Sequence, residues 1–354
     1  VQNLLDRIID AGVPGEAVAK HPKHAVDPGW TTLAQPDHLA RFLAERGAAG
    51  VGAVVGGTAW DFTNRKRVRE RQLDLLVIDE AGQFSLANTL AVAAATDRLL
   101  LLGDPQQLPQ VSQGTHPEPV DTSALGWLAE GHATLPADRG YFLAKSWRMH
   151  PDLCVHVSRL AYDGRLASRM PETAARSLTS LTPGLHVVSV PHDGCATACP
   201  EEAAEVVAQV QRVMAGTWCD PEHDTAPRSV EQGDVLVVAP YNAQVHTVRQ
   251  ALAAAALGDV RVGTVDKFQG QEAPVVIVSM TASSAQDVPR GVDFLLDRHR
   301  LNVAVSRGQW AAIVLHAPQL TDFLPHSPAG LAQLGGLLRL VEPTAVNELP
   351  PLLE

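Results

Sequence analysis

The sequence predicts an α/β protein of two domains, each built on a mainly parallel sheet. Three observations predict it. Apolar runs of strand length alternate with helical stretches, and the alternation occurs twice. A Pro-rich stretch near residues 115–145 breaks the two series apart. The length of 354 residues is long for one core and natural for two.

The elements follow in order. Val1, Leu4, Leu5, Ile8 and Ile9 share one face at helical spacing, and Gly12 supplies a stop. GVGAVVGGT (50–58), DLLVIDEA (74–81) and RLLLLGDP (98–105) read as buried parallel strands, with a helix in FSLANTLAVAAAT between the last two. The second series is LHVVSV (185–190), DVLVVAP (234–240), RVGTVDKF (261–268), APVVIVSM (273–280) and AAIVLHA (311–317). EEAAEVVAQVQRVM and AQVHTVRQALAAAAL read as its helices. The expected domains are 1–140 and 141–325, and the Pro- and Leu-rich tail 326–354 carries no element signal.

Composition narrows the class. Hydrophobic residues make up 45% and charged ones 19%, which is globular rather than disordered. No apolar run reaches the about 20 residues of a membrane span. The start has no basic region followed by an apolar core, so a soluble cytoplasmic protein is expected. A net charge of −11 excludes a broadly basic nucleic-acid surface but leaves room for a local groove. Four cysteines fit a reducing compartment. His192, Cys195, Cys199, Cys219 and His223 have loose zinc-like spacing, C-x3-C and C-x3-H. A polar loop that happens to carry cysteines is the other reading.

Chemistry concentrates where strands end. In DLLVIDEAGQ (74–83), four apolar residues run into Asp79 and Glu80. A strand returning to water accounts for one carboxylate. Two adjacent ones also suit a metal ion and a water to be activated. Gly103-Asp104 and Pro240-Tyr241 likewise follow apolar runs, at the carboxyl ends where α/β sheets bind ligands.

DEAGQ (79–83), GDPQQLP (103–109), SWRMHP (146–151), VVAPYNAQV (237–245), VGTVDKFQGQE (262–272) and LNVAVSRG (301–308) occur in this order. Together they resemble the motif series of superfamily 1 helicases, on the 5′-to-3′ branch related to the nonsense-mediated-decay helicase and its bacterial relatives. The resemblance spans residues 1–317 and implies two tandem RecA-like domains, ATP and Mg²⁺ as cofactors, and single-stranded DNA or RNA as partner.

The resemblance also implies roles. Asp79 holds Mg²⁺, Glu80 polarises the attacking water, and Gln107 senses the γ-phosphate with an amide that donates and accepts. Gln106 reads as filler. Arg148 and Arg307 are the arginines that meet the phosphates. Glu272 binds the ribose hydroxyls, and Gly270 lets the backbone pass close to the nucleotide. Thr58 and Thr264 hydrogen-bond nucleic-acid phosphates, and Tyr241 and Asn242 line the strand groove. Trp60 either stacks on bases or packs under the sheet edge. The basic run RKRVRER (65–71) is either a solvated helix face or a phosphate-tracking patch.

One motif is missing. No G-x-x-x-x-G-K-[ST] occurs in the sequence, and GVPGEAVAK (12–20) has the wrong spacing. The expectation is a first domain truncated at its amino end, with an incomplete sheet and a fragment not competent for hydrolysis by itself. An upstream nuclease domain, fused or associated, is a further possibility by analogy to bacterial relatives. Two rivals remain. A non-hydrolysing nucleic-acid-binding or regulatory module fits the missing loop but has no need of Glu80, Gln107 and both arginines. A small-molecule kinase explains Asp79 and Arg307 but not a second α/β domain.

Overall fold

A computed structural model describes the chain except residues 22–28, 109–113, 115, 224–225, 290 and 342–354. The chain forms two units, Val1–Pro105 with Pro109–Glu130, and Gln106–Leu108 with Gly131–Glu354.

The first unit runs α1 (Gln2–Asp10), β1 (Val18–Lys20), β2 (Thr31–Thr32), α2 (His38–Ala48), β3 (Val54–Gly56), α3 (Ala59–Thr63), β4 (Leu76–Ile78), α4 (Leu86–Ala93), β5 (Leu99–Leu101) and α5 (Ala124–Ala129). Local chemistry sets the helix ends. Gly12 takes a φ of 98° and its N–H donates to Ile9, closing the turn after α1. The Ser85 hydroxyl accepts from the Asn88 N–H at the start of α4.

The strands pair in parallel, yet they form two separate sheets, β2-β1-β3 and β4-β5. β4 also departs from expectation. Leu76 and Ile78 are buried with Val92 and Leu125, but Val77 between them is 45% exposed, and Leu99 and Leu100 on β5 are exposed too. The continuous apolar run reads as a strand buried on both faces; among the described residues one face remains open.

The second unit runs β6 (Lys145–Ser146), α6 (Pro151–Ala161), β7 (Ala167–Ser168), β8 (Ser177–Leu178), β9 (Gly184–Ser189), α7 (Pro200–Met214), β10 (Thr217–Cys219), β11 (Arg228–Ser229), β12 (Val235–Val238), α8 (Asn242–Ala254), β13 (Arg261–Gly263), β14 (Ala273–Ser279), α9 (Val292–Leu295), α10 (Arg298–Val305), β15 (Gly308–His316) and α11 (Pro328–Val341). Its main sheet, ordered β13-β12-β14-β15-β9, is parallel throughout. A small antiparallel sheet, β11-β10-β8, and the parallel pair β6-β7 lie apart from it.

Side chains of the main sheet alternate between two cores. Val276, Val278, Ala312 and Val314 pack with Leu153 and Val157 of α6 and Leu301 of α10. Val275, Ile277, Ala311 and Ile313 pack with Val206 and Val210 of α7 and Val248 of α8. A sheet buried on both faces has to be apolar along its whole length, which is why these strands lack polar alternation.

The stretch 326–341 is ordered, although its sequence signals no element. In α11, Leu334, Leu337 and Leu340 join the core that includes Leu160. Residues 342–354 of the tail lie outside the described ones. Leu337→Ala is expected to cost about 2–5 kcal/mol. Leu331→Ala, at a side chain 57% exposed on the same helix, is expected to cost about 0.5 kcal/mol or less. Urea denaturation of the full chain distinguishes them, and equal losses would contradict the packing of α11.

Candidate nucleotide and nucleic-acid sites

At the carboxyl end of β4 the chain turns sharply. Glu80 sits at a φ of 56°, and its N–H donates to Asp79 Oδ1 at 3.0 Å. Gln83 closes the turn, its N–H on the Glu80 carbonyl and its Nε2 donating to Glu80 Oε2 at 3.0 Å. Two glycines let this loop interlock with the next strand end. A Cβ on Gly82 would stand 2.1 Å from the Asp104 carbonyl oxygen, and one on Gly103 2.7 Å from the Ala81 nitrogen. The result is a pair of exposed carboxylates on a fixed backbone. Hard oxygen donors of this kind suit Mg²⁺.

The loop after β3 corrects one expectation. Thr58 donates both its N–H and its hydroxyl to Asp61 Oδ2, each at 2.8 Å, at the start of α3. The hydroxyl proton is therefore spent on a carboxylate and is not offered to a phosphate. Arg67 pairs with the same carboxylate. Burial pushes the Asp61 carboxyl up, but Thr58 and Arg67 outweigh it and hold it below the usual range. The basic run 65–71 forms turns rather than a helix, and its members meet acids: Arg65 with Glu70 and Arg71 with Asp97. Trp60 projects from this loop 84% exposed, while Phe62 packs inward.

In the second unit three distant motifs converge. Glu272 immediately precedes β14 and Arg307 precedes β15, and these strands are neighbours. Arg148 Nε donates to Glu272 Oε2 at 2.6 Å and Nη1 donates to the Ser306 carbonyl at 3.1 Å. Gln309 Nε2 donates to the other Glu272 oxygen at 3.0 Å. Burial raises the Glu272 carboxyl, but these donors and the Arg148 charge prevail and hold it low. The expected phosphate ligand and the expected ribose ligand are thus paired with each other. Arg307 is 2% exposed, with Nε donating to the Val303 carbonyl at 2.9 Å and Nη1 to Gln271 at 3.4 Å. It is held inside the fold rather than extended as a finger. Gly270 takes a φ of 74° just upstream.

Sequence reasoning missed two supports. Arg176 is buried against Asp220 at 2.9 Å and donates to the backbone carbonyls of Trp147 and Arg148. It holds the segment that carries Arg148. No local pattern signals it, because its partner lies 44 residues away. Gln106 is no filler: its side chain accepts from Arg298 Nη2 at 3.0 Å and its carbonyl from Asn302 Nδ2 at 3.0 Å. Gln107 stands half-buried between this anchor and the buried Leu108.

The opposite, carboxyl end of the same sheet holds the other expected contacts. Asn242 is exposed and Thr264 is half-buried. Tyr241 is a correction. It is 8% exposed, joins the core and stacks on Phe294 with ring centroids 5.8 Å apart, so its ring is not presented to a strand. Arg300 covers the Phe294 ring at 4.3 Å and pairs with Asp266 at 3.5 Å.

Two family models match the chain. One, described as an AAA domain, covers residues 121–318. A second, also described as an AAA domain, covers residues 12–123. Among curated proteins, the DNA replication ATP-dependent helicase/nuclease JHS1 of Arabidopsis thaliana is 25% identical over 267 residues, 72% of this chain and 20% of that protein. DNA-binding protein SMUBP-2 of Rattus norvegicus is 28% identical over 265 residues, 69% of this chain and 25% of its own length. The 5'-3' DNA helicase ZGRF1 of Mus musculus is 24% identical over 303 residues, 77% of this chain and 15% of its own. The chain spans a quarter or less of the length of these relatives. DEAGQ and GDPQQLP fall within the 12–123 match, and the other four motifs within the 121–318 match. The chain belongs to the AAA domain family.

Proposed function

We propose that this chain is the motor part of an ATP-dependent helicase or translocase that moves along single-stranded nucleic acid. The observation that carries the reading is the meeting of Arg148, Glu272 and the Ser306-Arg307 backbone at the amino ends of β14 and β15. Residues from three separated motifs share one polar cluster there, and their charges suit a nucleotide's phosphates and ribose.

Roles follow from side-chain chemistry. Asp79 supplies an oxygen for the Mg²⁺ that accompanies ATP, which would screen phosphate charge. Glu80 orients and deprotonates the attacking water. Gln107 donates to and accepts from the γ-phosphate and that water. Arg148 exchanges Glu272 for phosphate oxygens, and Arg307 meets developing charge once it leaves its carbonyls. Glu272, released, accepts from ribose hydroxyls beside the Gly270 turn. Trp60 stacks on a base, and Asn242 and Thr264 contact the backbone of the strand. DNA is the favoured polymer, because the relatives described above carry DNA in their names.

The test is ATPase activity of this chain and of the full-length gene product, with and without single-stranded DNA or RNA. Stimulation of the full-length product by DNA supports the motor reading. A product inert with both polymers, yet binding them, establishes a non-hydrolysing module instead. Glu80→Gln is expected to lower turnover by about 100-fold or more while ATP binding holds. Normal turnover in that variant would remove Glu80 from the mechanism.

A second prediction concerns the resting pair. Its carboxyl is held low in the fold, so the pair stabilises the protein above the unfolded carboxyl range and loses that contribution as pH falls through the folded value. The stability difference between wild type and Glu272→Gln is therefore expected at neutral pH and should vanish in acid. A difference that grows on acidification, followed by urea denaturation across pH, would contradict the pairing.

A further inference from the structure

Metal-binding side chains that belong to none of the motifs assigned above meet between β9 and α7. The ligand atoms of His192, Cys195 and Cys199 all lie within 4.8 Å of one another. Both thiols reach one carboxylate oxygen: Glu201 Oε2 is 3.8 Å from Cys195 Sγ and 3.4 Å from Cys199 Sγ. Cys199 is fully buried and His192 nearly so, while Cys195 and Glu201 face outward.

We propose that His192, Cys195 and Cys199 bind a zinc ion, with the Glu201 carboxylate as the fourth ligand. Two soft sulfurs, an imidazole and one oxygen form a donor set that selects zinc over hard cations. Zinc–sulfur and zinc–oxygen bonds at tetrahedral angles place a sulfur about 3.6 Å from an oxygen ligand. The two observed sulfur–oxygen separations bracket that value.

The surroundings are built for such a site. Glu202 is 0% exposed, and its Oε1 lies 3.2 Å from His192 Nε2. With Nε2 as the donor to Glu202, Nδ1 keeps a lone pair for the metal. Here Nδ1 rests 2.8 Å from the Ser283 hydroxyl, which the metal would replace. The other Glu202 oxygen accepts from the Ser279 hydroxyl and the Thr281 N–H. A buried carboxylate that orients a ligand histidine is the usual outer partner of a protein-bound zinc.

The cysteine side is equally fixed. Gln244 accepts from the Cys199 N–H at 2.7 Å and donates to its carbonyl at 3.1 Å. The Cys199 sulfur accepts from the Glu202 N–H at 3.3 Å at the head of α7, while burial raises its thiol above the ordinary range. On binding, the two thiol protons leave and the ion takes their place against Glu201. The sequence spacing also pointed to Cys219 and His223. The structure assigns those elsewhere: Cys219 pairs with Ser177 on β8, and His223 lies 3.3 Å from Asp220.

The test is zinc content by mass spectrometry of the full chain, reduced, loaded with zinc sulfate and desalted, together with a thiol count after denaturation. About one zinc per chain is expected, falling about tenfold or more in Cys195→Ser and in Cys199→Ser and unchanged in Cys219→Ser. Glu202→Gln is expected to weaken zinc affinity about 10–100-fold. If Cys199→Ser misfolds by circular dichroism, the outward-facing Cys195→Ser decides. The proposal is overturned by wild type that keeps no zinc while all its thiols titrate. It is overturned equally by two thiols missing from the count without zinc, which marks a disulfide, and by zinc that persists in the double serine variant.

Discussion

Parallel strands buried on two faces leave no place along their length for a polar side chain. β14 meets that constraint over seven residues, with each one buried between the helices of both layers. Polar chemistry in the second unit is therefore pushed to the strand ends, and the two ends hold different kinds of it. At the amino ends lie charges held by other charges and by carbonyls: Glu272, Arg148, Arg307. At the carboxyl ends lies a neutral lattice of hydroxyls and amides, Ser279 to Gln244 to the backbone of Cys199, closed by one buried carboxylate. The general habit of α/β sheets, ligands at the carboxyl ends, matches the position of Asp79 and Glu80 after β4 but not that of Glu272 and Arg307, which precede β14 and β15.

The charged end depends on an ion pair that reaches it through backbone carbonyls. Arg176 and Asp220 are both buried, and their pairing is tolerable because the guanidinium has further acceptors in two backbone carbonyls. Removing one partner of such a pair leaves an uncompensated charge in the interior, at a cost of about 3–5 kcal/mol. Loss of Asp220 would thus be felt at Arg148, through the carbonyl that Arg176 holds.

The sheet of the second unit was legible because burial on both faces writes unbroken runs such as PVVIV and LVV into the chain. The periodic helices α7 and α8 were legible for the same reason on one face. β1 and β2 were not: three residues and two carry no periodicity, and β1 sits inside a glycine- and proline-bearing stretch. α11 hid behind adjacent glycines, which lower helix propensity. Among the site residues, motifs located the backbone positions and said little of where side chains turn. Tyr241 faces the core, Thr58 spends its proton on Asp61, and Arg307 folds back onto carbonyls. Each outcome is decided by a neighbour distant in sequence or by local geometry that residue type alone does not specify.

Glu80 carries two demands that pull apart. Its left-handed backbone favours glycine, which has no Cβ to crowd the following carbonyl, or asparagine and aspartate, whose short side chains hydrogen-bond locally. Its carboxylate meanwhile has to extend far enough to accept the Gln83 amide. Glycine would relax the turn and lose the acceptor; aspartate would keep the charge and shorten the reach; alanine would satisfy neither. A survey of all twenty residues at this position should therefore give a tolerance profile unlike that of an ordinary surface carboxylate. It would combine the narrow spectrum of a tight turn with that of a positioned acid, and leave glutamate with almost no substitutes.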